Sequence, residues 1–193
     1  MPTTSPDLPV HPFPSQADLL GWLAEHGATS QGIRVKFAKK HTGIPTVSKA
    51  EAIDAALCHG WIDGQLQPLD ADFWLVRFTP RRPRSVWSEK NRERALELIA
   101  EGRMTPAGLA EVERARVDGR WDRAYPRQST ATVPADLQAA LDADPEAAAF
   151  FATVSAANRF AVLYRVNDAK RPDTRACRIA QLVAMLARGE TIH

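Results

Sequence analysis

The chain has 193 residues, 45% of them apolar and 25% charged, ordinary proportions for a globular protein with one sizeable core plus at most a small helical appendix. A formal net charge of +2 argues against a general nucleic-acid-binding domain, which carries a stronger excess. No apolar run approaches the roughly 20 residues of a membrane span, and the N-terminus lacks a charged start followed by an apolar stretch, so a cytoplasmic protein without membrane insertion is expected.

Residues 1–14 are Pro-rich and read as a flexible N-terminal arm, disordered or strand-like. Ser15 is placed to cap a helix that runs to about His26 and ends at Gly27. In GIRVKFAKK (32–40), Ile33, Val35 and Phe37 alternate with polar positions, the period of a half-buried strand. Ser48 and Glu51 make a capping box for a helix that stops at Gly60. WIDGQLQ and FWLVRF then form two strands of a hairpin across the turn PLDAD. Pairing Gln67 with Phe73 sets Ile62 against Phe78, Leu66 against Trp74 and Asp63 against Arg77.

Ser88 starts the next helix, which ends at Gly102, and Thr105-Pro106 starts another, which ends at Gly119. Residues 126–133 are polar and non-periodic, a linker. Helices are expected to begin at Pro134, Asp144-Pro145 and Ala156, and a last one carries Ile179, Leu182, Val183 and Leu186 before Gly189. Phe150, Phe151, Phe160, Leu163 and Leu186 demand burial, and the tail is expected to dock on the N-terminal domain. The fold class is therefore α+β, a small antiparallel sheet with packed helices followed by a helical C-terminal subdomain. Its expected parts are the arm, an α+β domain over 15–125, the linker, and residues 134–193.

Chemistry concentrates in FTPRRPRSVWSEKNRER (78–94), where Arg81, Arg82, Arg84, Lys90, Arg92 and Arg94 surround Trp87. The proline-stiffened loop runs into a helix start whose free N–H groups and positive dipole end suit an anion. Arginine suits bidentate capture of carboxylate or phosphate. Arg77, Arg81, Arg84, Trp87, Ser88 and Asn91 are the candidate ligand-binding residues, with Lys170 and Arg175 at the last helix start as a second cluster. Three readings stand open: surface ion pairs worth roughly 0 to 1 kcal/mol each, a small-anion site, and stacking of nucleic-acid bases on Trp87 and Trp74.

Asp63 is the candidate acid or base if there is a reaction. Five scattered histidines and two distant cysteines give no metal spacing. No P-loop, dinucleotide fingerprint or nucleophile elbow occurs. Neither a cofactor nor a metal is expected.

At GWIDGQ, RFTPRRPRSVWSEKN, GRMTPAGL and DGRW, and again at PADLQAALDADPEA and AKRPDTRACRI, the chain resembles the YdeI/OmpD-associated family, also called bacteriocin-protection proteins. The resemblance covers about residues 15–189. It implies a small α+β domain with a short helical segment. It also implies an association with antimicrobial-peptide resistance and an outer-membrane porin, and no reaction. The expectation is a protein of stress or antimicrobial-peptide tolerance that binds a small anionic ligand. The alternative is a nucleic-acid or protein-binding adaptor without catalysis, its protein partner unknown.

Overall fold

The computed structural model describes residues 8–192, which fall into two compact units that meet between Ala124 and Tyr125. The sheet of the first unit contains β1 (Val10–Pro12), β2 (Ile33–Ala38), β3 (Trp61–Pro68) and β4 (Phe73–Pro80), in the order β1-β2-β4-β3. It is mixed and not wholly antiparallel: β1 runs parallel to β2, with Val10 beside Arg34. Of the two readings of the N-terminal arm, strand-like holds for Val10–Pro12, an edge strand. It is pinned where Arg34 N–H donates to Pro9 O (2.8 Å) and Val47 N–H to Phe13 O (2.8 Å). The arm's first seven residues lie outside the described residues.

The hairpin register departs from expectation. Trp61 stands opposite Pro80, Ile62 opposite Thr79 and Asp63 opposite Phe78; pairing then resumes at Leu66 with Val76. Gly64 and Gln65 together oppose Arg77, a bulge that shifts the ladder by one residue. The cause lies in which apolar residue enters the core. Trp61 is 1% exposed, and its indole N–H donates to Gly27 O (3.2 Å); Ile62 is half-buried on the other face. Asp63 therefore shares a face with Phe78, and Arg77 lies on the opposite one.

Helices α1 (Gln16–His26) and α2 (Lys49–Cys58) cover one face of the sheet, both opened by full capping boxes at Ser15 and Ser48. The core between them contains Leu19, Leu23, Ile33, Val35, Phe37 and Phe78. Burial runs almost all round α2. Ala52, Ala55 and Ala56 face the sheet, while Leu57 and Cys58 enter a second cluster with Trp87, Leu98, Val112 and Trp121. That second layer is closed by α3 (Glu89–Ala100) and α4 (Pro106–Val117).

The start of α4 rests on the end of α2. Thr105 donates from both its backbone N–H (3.0 Å) and its hydroxyl (2.6 Å) to Cys58 O. A side-chain carbon at Gly108 would stand 2.3 Å from the same oxygen, so only glycine fits there. Burial pushes the Cys58 thiol pKa up, which keeps it an inert core group.

The second unit contains α5 (Ala135–Asp142), α6 (Pro145–Thr153), α7 (Ala156–Asp168) and α8 (Pro172–Ala187). Its apolar positions bury one another: Leu137, Leu141, Phe151, Leu163, Ile179 and Leu186 form one cluster. Among the described residues, no helix is long and apolar enough to cross a membrane.

Candidate anion-binding loop

Strand β4 delivers the chain into residues 81–88, which are shaped largely by arginine. Arg81 N–H donates to Gly60 O (3.0 Å), continuing the strand pairing by one step. Its guanidinium lies 3.5 Å above the Trp87 ring, and its Nη1 donates to Val86 O (3.2 Å). Arg81 is 5% exposed and Trp87 2%. Trp87 in turn meets Trp121 edge-on, centroids 4.8 Å apart, and the Arg116 guanidinium lies 5.4 Å from the Trp121 ring centroid. A buried guanidinium over an indole face gains electrostatically from the ring quadrupole, so this stack is a structural joint.

Beyond the joint the chain makes a tight turn. Ser85 N–H donates to Arg82 O (2.9 Å), and Arg82 N–H donates to Ser85 Oγ (2.9 Å). Arg120, itself held by Asp118, braces the turn by donating to Ser85 O (2.6 Å). Pro83 and Arg84 are left exposed at the tip.

Ser88 then caps α3, its Oγ accepting Asn91 N–H at 3.1 Å; both residues are half-buried. Arg92 donates to Trp121 O (3.3 Å). Arg94 grips Asp54 of α2 with two bonds, 2.8 and 2.7 Å, and also reaches Glu97 and Glu101. Hydrogen bonds to Asp54 and then Glu97 raise the pKa of Arg94 further. The Glu101 carboxyl is held below its usual range, chiefly by its bond from Arg103.

Of the sequence-predicted residues, the structure brings Arg81 to Trp87 and Ser88 to Asn91. Arg84 projects from the turn, and Asp63 and Arg77 lie on opposite faces of the sheet. Residues that sequence reasoning missed include Asp54, Trp121 and Arg120. Asp54 left a trace as the one carboxylate in the run IDAALC, but nothing in the sequence names Arg94 as its partner.

The second cluster is described within its own unit. Arg175 donates from Nε and Nη2 to Asp136 (2.5 and 2.9 Å) and from Nη1 to Val166 O (2.8 Å). Those bonds hold the Asp136 carboxyl below its ordinary range and raise the pKa of Arg175. A depression of about 420 Å³ lies beside the pair, lined also by Ala140, Pro172, Ala176 and Ile179. Lys170 is exposed and donates to Asn167 O (3.3 Å).

No curated protein and no solved structure matches the chain. Residues 130–189, the helical segment with PADLQAALDADPEA and AKRPDTRACRI, match the family described as Bacteriocin-protection, YdeI or OmpD-Associated. The remaining long motifs, GWIDGQ, RFTPRRPRSVWSEKN and GRMTPAGL, fall inside a separate match that spans residues 11–111, just over half the chain. By that match the protein belongs to the family described as Domain of unknown function (DUF8412).

Proposed function

We propose that this is a cytoplasmic binding protein, active in stress or antimicrobial-peptide tolerance, that holds a small anionic ligand at the arginine loop. One observation carries the reading. Arg81, Arg92 and Arg94 are engaged in stacking and hydrogen bonds, while the side chains of Arg82, Arg84 and Lys90 are exposed and make no hydrogen bond or ion pair among the described residues. The braced turn holds the guanidinium of Arg84 on a short, fixed stretch beside the start of α3. Such a stretch limits the ordering cost of binding and suits bidentate capture of carboxylate or phosphate. In this reading Ser88 and Asn91 set the helix start, and Arg81 and Trp87 position the loop without touching ligand. No reaction is assigned to Asp63, and Lys170 and Arg175 serve the second unit.

Thermal unfolding in a screen of phosphates, nucleotides and carboxylates tests the proposal. A ligand at 100 times its Kd raises stability by about 2.7 kcal/mol. Arg84→Ala should leave unliganded stability within about 0.5 kcal/mol of wild type and weaken binding by about 1.5 to 3 kcal/mol. Indistinguishable wild-type and variant behaviour with every ligand would sink the reading. Oligonucleotide binding that falls steeply with salt would replace it with the adaptor alternative.

A further inference from the structure

The run DGRW, residues 118–121, lies where α4 ends and outside both matched segments. Each of its residues bears on the arginine loop. Asp118 closes α4 by donating its N–H to Arg114 O (3.2 Å). Its carboxylate accepts from both the backbone N–H (3.1 Å) and the Nε (2.8 Å) of Arg120. Gly119 between them has φ 72°, the left-handed turn that brings both groups of Arg120 onto that carboxylate. Trp121 packs edge-on against Trp87, and its carbonyl accepts from Arg92.

The Arg120 guanidinium is fully committed. Its Nε donates to Asp118, its Nη2 lies 2.7 Å from the same carboxylate, and its Nη1 donates to Ser85 O at 2.6 Å, 35 residues upstream. The side chain is 13% exposed and directs all three nitrogens at protein oxygens, unlike Arg84 at the tip. Bonds from Arg120 hold the Asp118 carboxyl below its ordinary range, so the anchor stays charged at neutral pH. Ser85 is the receiving end. Its N–H and Oγ close the turn on Arg82, and its carbonyl accepts from Arg120. Arg84 precedes Ser85 inside that turn, so its backbone is fixed from outside the loop.

We infer that Asp118 and Arg120 are positioning residues of the arginine loop, setting the backbone from which Arg84 reaches an anion without touching the anion themselves. Their effect on affinity rests on the anion-site reading; their effect on the turn stands on geometry alone.

Amide hydrogen exchange on the full chain reads the turn with no ligand present. In Arg120→Ala the Arg82 and Ser85 N–H groups should exchange about tenfold faster or more, the loss of one charge-assisted hydrogen bond. Arg81 N–H, bonded to Gly60 O, should keep its wild-type rate. Arg120→Lys keeps the charge and loses the fork, so it should match Arg120→Ala. Asp118→Asn leaves Arg120 with a weakened anchor and should show the same change at smaller size, which also decides the matter if Arg120→Ala does not fold. A second arm measures calorimetric affinity for inorganic phosphate and for citrate. Arg120→Lys should lower it about tenfold, but less than about twofold when introduced into Arg84→Ala, because a residue acting through Arg84 has no effect once Arg84 is gone. A wild-type chain that binds neither probe counts against the anion-site reading, and the exchange arm then decides the positioning role by itself. Unchanged exchange at Arg82 and Ser85, acceleration spread evenly over the first unit, or equal affinity losses in both backgrounds overturns the inference.

Discussion

Two arginine-rich segments look alike in the sequence and differ in the folded chain. Both sit at the start of a helix, 81–94 before and within α3 and 170–178 at the head of α8. In the second unit three of the four cations are matched by nearby oxygens, Arg175 by Asp136 and Val166 O, Arg178 by Arg165 O and Asp168, Lys170 by Asn167 O, and Arg171 is exposed. In the first unit some guanidiniums hold the layers together, and Arg82, Arg84 and Lys90 remain for solvent or a ligand. A run of positive charge is thus not by itself a binding site. What decides is whether carboxylates and carbonyls from other elements reach it.

Perturbing each segment separates these roles. The largest effect is expected from Trp87→Ala, which removes the ring that Arg81 covers and Trp121 abuts. Truncating a buried tryptophan costs about 3 to 5 kcal/mol, to be read from urea unfolding midpoints. A loss below about 1 kcal/mol would mean that the joint does not organise the loop. Asp54→Ala comes next. It removes the carboxylate gripped by Arg94 and leaves Glu97 and Glu101 as partial replacements, so about 1.5 to 3 kcal/mol should be lost. Both partners are largely sheltered, 16% and 29% exposed, so added salt should recover little of the difference.

The smallest effect belongs to the second unit and depends on pH. The folded-state pKa of Asp136 is depressed by Arg175, so the pair's contribution is complete above the unfolded value of about 3.9 and lost as pH falls through the folded value. Asp136→Asn should therefore be slightly less stable than wild type at neutral pH, and the two curves should converge in acid. Asp136 is 46% exposed, and solvent screening keeps the gap small. Unfolding midpoints at neutral and acid pH, compared between the two chains, measure it; a gap that widens in acid contradicts the assignment.

Helix limits were legible because their signals are local. Ser15, Ser48, Ser88 and Thr105 each accept a backbone N–H from their own first turn, and Gly102, Gly119 and Gly189 adopt the positive φ of a helix end. The hairpin register was not legible, because Trp61 and Ile62 are both apolar. The choice between them rested on Gly27 O, an acceptor 34 residues away. For the N-terminal arm the sequence left disorder and strand both open; Pro12 closes β1 with a nitrogen that has no hydrogen to donate, and its place at a sheet edge needs none. Much the same limit applied to the arginines. Their own positions could be read, but Arg94 finds Asp54 40 residues upstream and Arg175 finds Asp136 39 residues upstream.

Both margins of the sheet are interrupted. On one side β1 is three residues long and ends in Pro12; on the other, β3 is broken by the bulge at Gly64 and Gln65 and ends in Pro68. A regular outer strand would offer a ladder of free N–H and C=O groups on which a second chain could crystallise its own backbone. Here neither border presents an uninterrupted run of such groups, so sheet-to-sheet polymerisation is discouraged at high concentration, even though Leu66 stands exposed on β3.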